Sequence, residues 1–233
     1  MAEMKTIGLV GGSTWLSTVD YYRHLNRMAA ERLGGIHCCR LILHNIQFGQ
    51  FSPAVGRDDW KTATGILVSA AQSVERAGAE CFLLCANTHH FVADEVASQV
   101  SIPIIHIVDA VGREIAKLGY SKAALLGTKT TMTRGFYQDR LFEKFGIETL
   151  IPNEADRSEI HRSIFEDMAR DHFTDSARNT HCRVIDELKE QGAQAAILGC
   201  TEIPILLRDV ETSLPKIDTA EVHCRAAIEF AIP

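Results

Sequence analysis

Short apolar runs alternate with longer amphipathic stretches along the whole chain, and that alternation predicts strands followed by helices. Thr6 to Val10 is a β-rich run broken by Gly11-Gly12, with Ser13, Thr14 and Ser17 as caps for a helix over about Thr18 to Arg32. Arg40 to Ile46 reads as a second strand, Gln47 to Gly56 as a loop punctuated by Gly49, Pro53 and Gly56, and Asp58 as the cap of a helix reaching Arg76. A strand over Cys81 to Ala86 follows, then Asn87 as cap of a helix from His89 to about Gln99, and a buried strand over Ile102 to Ile107 with Pro103 at its start. Asp109 caps a helix ending near Gly119. The cycle restarts with a strand over Ala123 to Leu126, a helix entered through Thr130, Thr131 and Thr133 and running to about Phe145, and a strand over Gly146 to Ile151. Helices over Asp156 to Ala169 and Thr174 to Glu190, a strand over Ala195 to Leu198 and a closing helix capped by Asp218 complete the pattern. Strict alternation with short connections argues for an α/β fold of two similar doubly wound parallel-sheet domains, divided near residues 110 to 120.

One stretch occurs twice. Ala77-Gly78-Ala79 through Cys85-Ala86-Asn87-Thr88 and Gln191-Gly192-Ala193 through Gly199-Cys200-Thr201-Glu202 each read as helix end, glycine cap, buried strand and polar loop. In open α/β sheets ligands bind at the C-terminal ends of strands. Two such edges, one from each half, predict a site in the cleft between the domains. Laying Gly78 over Gly192 sets Cys200 opposite Ala86, Cys85 opposite Gly199, Thr201 opposite Asn87 and Glu202 opposite Thr88. One half therefore carries a thiol at the strand exit where the other carries a methyl group.

Composition removes alternatives. Of 233 residues, 46% are hydrophobic and 23% charged, with a formal net charge of -6. That balance is ordinary for a globular protein and lacks the excess of basic residues that a nucleic-acid binder needs. No apolar run approaches the roughly 20 residues that span a bilayer, so no membrane partner is expected. Met1-Ala2-Glu3-Met4-Lys5 leads straight into the first strand without the features of a secretory signal. Seven cysteines without such a signal imply a reducing compartment, with the cytoplasm as the expected location. Gly11-Gly12 lacks the G-x-G-x-x-G spacing of a dinucleotide site, which leaves close backbone approach to a small anion as its reading. Cys38-Cys39 beside His37 and His44 lacks metal-site spacing, so no metal is expected there. Cys81, His181-Cys182 and Cys224 read as core.

The motifs Lys5-Thr6-Ile7-Gly8-Leu9-Val10-Gly11-Gly12, Cys85-x-Asn87-Thr88-x-His90, Leu125-Leu126-Gly127-Thr128 and Gly199-Cys200-Thr201-Glu202 resemble those of the aspartate/glutamate racemase family. The resemblance covers essentially the whole chain. It implies a cofactor-independent amino-acid racemase of two α/β domains, with the C-terminal segment returned to the first, hence domains 1–113 plus 217–233 and 114–216. A dimer is common among such relatives. Removing an α-proton makes a carbanion, so fixed donors must hold the α-carboxylate. Asn87, Thr88 and Thr201 suit that role, and Ser13, Gln50 and Thr128 are further substrate-binding candidates. Inversion also needs an acid–base group for each face of the α-carbon, a task open to a thiolate whose pKa is lowered near a helix start.

The family's two catalytic cysteines fall at Cys200 and at the Ala86 position, so the second thiol is missing here. Three readings stay open: Cys85 turned inward as a substitute, a chain that works with one base or is an altered form with Ala installed, and a protein that binds an amino acid without turnover. A one-thiol decarboxylase of the same superfamily is the other enzymatic reading. Substrate choice is open too. Ile46 to Phe51 holds no basic side chain, with Arg57 close by, and Arg157 is the one basic residue between Asn153 and Ile160. A dicarboxylic amino acid is thus what the resemblance implies. His90 either orients the site or packs at the helix start, and Glu202 either bonds its neighbouring loop or hydrogen-bonds the Cys200 region, with a structural role the favoured reading.

Overall fold

The computed structural model describes residues 4–232; Met1, Ala2 and Glu3 of the opening segment and the terminal Pro233 lie outside it. The described chain divides into two compact units, one running to Ile107 and resuming at His223, the other covering Val108–Val222.

The first unit begins with β1 (Ile7–Gly11), α1 (Trp15–Leu33), β2 (Leu41–Asn45), α2 (Phe48–Gly56), α3 (Trp60–Arg76) and β3 (Cys81–Leu84). Its three strands are parallel in the order β2-β1-β3, with Ile7 opposite both Leu41 and Cys81. A 3-10 turn over Asn87–Val92 and α4 (Ala93–Ala97) follow. Val10, Phe82 and Leu84 pack with Leu67, Ala70, Ala71 and Val74 of α3, while Ile7, Leu9 and Leu83, which point the other way, are equally buried. A parallel sheet covered on both faces reads as continuous apolar runs for this reason.

α5 (Ile107–Lys117) leads into the second unit, which holds β4 (Lys122–Gly127), α6 (Lys129–Thr133), α7 (Phe136–Phe145), β5 (Glu148–Leu150), α8 (Glu154–Arg162), α9 (Asp175–Glu190), β6 (Ala195–Gly199), α10 (Glu202–Leu206) and β7 (Lys216–Asp218). The sheet is parallel in the order β5-β4-β6-β7. α11 (Thr219–Ala231) closes the chain. Its end returns to the first unit, where Lys5 N donates to Ala231 O at 3.0 Å.

The expected α/β architecture with two parallel sheets is present, and the repeated stretch is built by the same bonds in both units. Gly78 and Gly192 have φ of 99° and 98°, left-handed values that suit a residue without a Cβ at a helix end. Gly78 N donates to Glu75 O at 2.9 Å and Gly192 N to Lys189 O at 2.8 Å; Ala79 N and Ala193 N reach Val74 O and Leu188 O, both at 3.0 Å. Cys81 and Ala195 then begin β3 and β6 as the registered pair that the sequence overlay gives.

Several expectations are corrected. Residues 48–56 are helical rather than a loop, because Phe51 and Ala54 at i, i+3 spacing bury against the first unit's core and outweigh the Gly and Pro signals. Asp59, not Asp58, caps α3, its Oδ1 accepting from Thr62 N at 3.1 Å, while Asp58 takes a left-handed φ and accepts from Trp60 Nε1. Ala86 rather than Asn87 stands at the cap position of the following turn, and the expected 89–99 helix is that 3-10 turn plus α4. The expected strand over 102–107 shrinks to one bridge, Ile104 with Phe82, because Pro103 lacks an N–H and Ile107 already starts α5. Asp109 consequently lies inside the first turn of α5 and pairs with Arg140 and Lys144, at 2.9 and 3.0 Å. The single helix expected after Gly127 is split at Gly135 into α6 and α7. The 156–169 helix begins at Glu154, capped by Asn153, and beyond Arg162 continues as a π turn. β7 is one strand more than the pattern predicts, since Lys216-Ile217-Asp218 holds a single apolar residue.

β4 and β6 end side by side with Gly127 opposite Gly199. A Cβ on Gly199 would lie 2.8 Å from Leu126 O and 3.0 Å from Leu125 Cδ1, and one on Gly127 would lie 2.7 Å from Gly199 O. Backbone cannot yield cheaply, so Gly199→Ala is expected to destabilise the protein by about 1–3 kcal/mol, the usual range for overpacking. Chemical denaturation checks this, and a variant as stable as the parent would refute the tight approach of the two strand ends.

Candidate functional site

Because Gly199 admits no side chain, the chain leaves β6 with Cys200 as its first residue bearing one. Thr201 stands at the start of α10 and Glu202 opens the helix. Cys200 Sγ donates to Glu202 Oε2 at 2.9 Å, and Thr201 Oγ1 donates to the same oxygen at 3.0 Å. Cys200 is partly exposed, whereas Thr201 and Glu202 are buried. Burial holds the Cys200 thiol well above the ordinary thiol range, and the Glu202 charge and hydrogen bond push it the same way. The backbone N–H groups of Glu202 and Thr201 act in the opposite sense and are outweighed. The condition for a resting thiolate, a pKa lowered by a helix start, is not met at Cys200. Cys200 is a thiol whose proton already rests against a carboxylate, and Glu202 has a contact with chemistry rather than with packing alone. The signal for it lay in the Cys-x-Glu spacing at a strand-to-helix turn.

Thr128 occupies the matching turn after β4, beside β6 in the same sheet. Its Oγ1 accepts from Thr131 N at 3.3 Å and pairs with Thr131 Oγ1 at 3.0 Å. That hydroxyl caps α6, a bond of about 1 kcal/mol in such positions.

In the first unit β3 ends at Leu84, and Ala86 continues in extended conformation into the 3-10 turn that carries Asn87 and Thr88. Asn87 is buried and Thr88 half-buried. Cys85, the possible substitute, lies in the core rather than at the strand exit. Its side chain is buried in the core, its Sγ donates weakly to Leu83 O at 3.9 Å, and burial without a compensating charge drives its pKa far up. Cys81 is also core, pushed up to about 12 by burial. Next to the loop, His89 is fully buried against Phe51, with ring centroids 4.7 Å apart, and burial lowers it to about 3.

Ser13 sits in the turn between β1 and α1, and Gln50 is exposed on α2. The glycine pair before Ser13 faces the protein itself. A Cβ at Gly11 would lie 2.5 Å from Thr18 Cγ2 and one at Gly12 2.5 Å from Ile46 O, while Gly12 N donates to Thr18 Oγ1 at 2.8 Å. The space expected for an approaching anion is filled by α1 and the end of β2. Of the basic residues weighed for a distal carboxylate, Arg57 is exposed after α2, and Arg157 donates from Nη1 to Pro152 O at 2.5 Å. Among the described residues no group of three His, Cys, Asp or Glu is arranged to hold a metal ion, and no helix is long and apolar enough to cross a membrane.

Residues 10–227 match the family model for Asp/Glu/Hydantoin racemases. The chain belongs to the Asp/Glu/Hydantoin racemase family. A crystal structure from Yersinia pestis, provisionally described as an Asp/Glu racemase, is 40% identical with a TM-score of 0.91, covering 99% of this chain and 100% of that one. An aspartate racemase homologue from Pyrococcus horikoshii OT3 is 38% identical with a TM-score of 0.84 over the same shares. The broad specificity amino-acid racemase RacX of Bacillus subtilis is 24% identical over 174 residues, which is 75% of this chain and 73% of that protein. The resemblance carried by the strand-exit motifs is thus established at the level of the family.

The state of the thiol gives the sharpest expectation at this racemase-family site. Glu202→Gln removes the charge and weakens the acceptor beside Cys200, so the thiol pKa falls and alkylation at a given pH speeds up. Iodoacetamide labelling of the Cys200 peptide, followed by mass spectrometry across pH, checks the sign. Slower labelling in the variant would show that Glu202 does not hold the thiol proton.

Proposed function

We propose that this chain is a cofactor-free amino-acid racemase of the aspartate/glutamate type, working through Cys200 and Glu202 and impaired by the alanine at position 86. The observation that carries the reading is the Cys200 thiol donating to the Glu202 carboxylate at the C-terminal exit of β6. The family membership and the amino-acid racemases and homologues among its relatives support it.

The proton bookkeeping is simple. The thiol proton passes to Glu202, and the resulting thiolate takes the α-proton of the amino acid, becoming a thiol again while the substrate becomes a carbanion. Site charge is unchanged, since the negative charge moves from Glu202 to the substrate. Asn87, Thr88 and Thr201 are assigned to the α-carboxylate, where charge develops. Return of the proton from Cys200 restores the starting enantiomer. Inversion needs a second acid, and the position that resemblance equates with it holds a methyl group, so a solvent water delivers the proton to the opposite face and the hydroxide left behind takes the proton back from Glu202.

The missing side chain also favours a second reading, a decarboxylase of the same superfamily, because such a reaction needs protonation on one face alone. Chiral chromatography of aspartate and glutamate after incubation separates them. Cys200→Ala is expected to lower turnover about 10²- to 10⁴-fold, the scale of one general acid–base group. Ala86→Cys is expected to raise the rate of inversion. Unchanged turnover in the first variant would remove Cys200 from the mechanism. A loss on Cys85→Ala with no effect of Ala86→Cys would move the second position to Cys85.

A further inference from the structure

Behind the Ala86 loop lies a cluster of buried histidines that the proposed chemistry does not use. His90, His106 and His223 are all buried, with the His90 ring centroid 4.7 Å from that of His106 and 5.6 Å from that of His223. Backbone groups fix the state of His90. Its Nε2 lies 3.2 Å from the Ile107 N–H, which can only donate, so Nε2 is unprotonated. Its Nδ1 lies 3.1 Å from Ala86 O, which can only accept, so Nδ1 carries the proton. The neighbouring ring is set the same way. His223 Nε2 donates to Ile105 O at 2.6 Å, leaving Nδ1 to accept from Tyr21 Oη at 2.8 Å. Four segments of the first unit meet through these bonds: α1, the strand-exit loop, residues 105–107 and the returned end of α11.

We propose that His90 is a positioning residue, holding the carbonyl of Ala86 and through it the backbone that presents Asn87 and Thr88 to the substrate. Ala86 stands at the start of the 3-10 turn with no side-chain cap of its own. The imidazole four residues on supplies what the alanine cannot, a donor that ends the strand and fixes the first step of the turn. The groups facing His90 are His106, His223 and the adjacent His89, and burial together with these rings disfavours its charged form. The ring is therefore expected to keep one neutral tautomer across the range of about pH 5 to 8 in which histidines usually titrate. For its effect on turnover the inference rests on the racemase reading, and for the tautomer it does not.

Two substitutions separate the bonds. An asparagine amide reaches the place of Nδ1, so His90→Asn keeps a donor for Ala86 O and loses the acceptor for Ile107 N–H. A glutamine amide reaches the place of Nε2, so His90→Gln does the reverse. Each variant loses one buried bond, and similar thermal midpoints are expected. Turnover of aspartate or glutamate is expected to fall about 10- to 100-fold in His90→Gln, the scale of a small misplacement of reacting groups, and to stay near the parent in His90→Asn. Equal losses in the two, or a greater loss in His90→Asn, would overturn the proposal. Long-range proton–nitrogen correlation of the parent's His90 ring gives a readout that needs no activity and no variant. A proton on Nδ1 across the pH range supports the proposal, while a proton on Nε2 or a titrating ring overturns it. An inactive parent protein with the expected tautomer would refute the racemase reading alone, and amide shifts of Asn87 and Thr88 displaced in His90→Gln but not in His90→Asn would then decide for the positioning role.

Discussion

A thiol works as a base only if its proton has somewhere to go, and in the proposed reaction that requirement falls on the 2.9 Å hydrogen bond from Cys200 Sγ to Glu202 Oε2. The surrounding structure serves to place it. β6 is buried on both sides and ends against β4 where two glycines face each other, leaving no room for a side chain before Cys200. The turn into α10 then buries Glu202 within reach of both Cys200 and Thr201. Burial and the carboxylate both favour the protonated thiol, and the carboxylate is also the acceptor to which the proposed reaction sends that proton.

The first unit repeats the construction as far as the strand and then departs from it. Equivalent hydrogen bonds close the helix ends at Gly78 and Gly192. Past the strand, one unit offers a thiol and a carboxylate, and the other a methyl group whose carbonyl is held by His90. The repeat therefore conserves delivery of the chain to a strand exit, while the chemistry at that exit differs between the units.

How much of this could be read from residues depended on the range of the interaction. The glycine–strand–loop repeat was readable because its determinants lie within a dozen consecutive positions, and the overlay of Gly78 on Gly192 holds in the structure down to the start of β3 and β6. Residues 48–56 look like a loop in sequence because the burial of Phe51 and Ala54 comes from tertiary packing, which overrides a Pro and two Gly residues. The Cys-x-Glu spacing puts Glu202 within reach of Cys200 without saying which way its carboxylate turns, so the sequence leaves loop and thiol both open as its partner. His90 was undecided for a related reason. Its partners are Ile107 and, through the cluster, His223, far along the chain, and only the fold brings them together. The direction of the Cys200 shift turns on magnitudes that the sequence does not carry. Two backbone N–H groups favour the thiolate, but burial and the Glu202 charge outweigh them.

Membership of the Asp/Glu/Hydantoin racemase family frames the chemistry, and in the proposed reaction the alanine at position 86 makes it asymmetric. Deuterium wash-in tests that asymmetry most directly. Each enantiomer of aspartate and glutamate is incubated separately with the protein in D2O, and loss of the α-proton signal is followed alongside optical rotation. The account predicts that one enantiomer exchanges its α-proton well ahead of any inversion. Exchange and inversion at equal rates from both enantiomers would contradict it by requiring a second working acid–base group, and no exchange from any of the four would leave Cys200 and Glu202 without a role in catalysis.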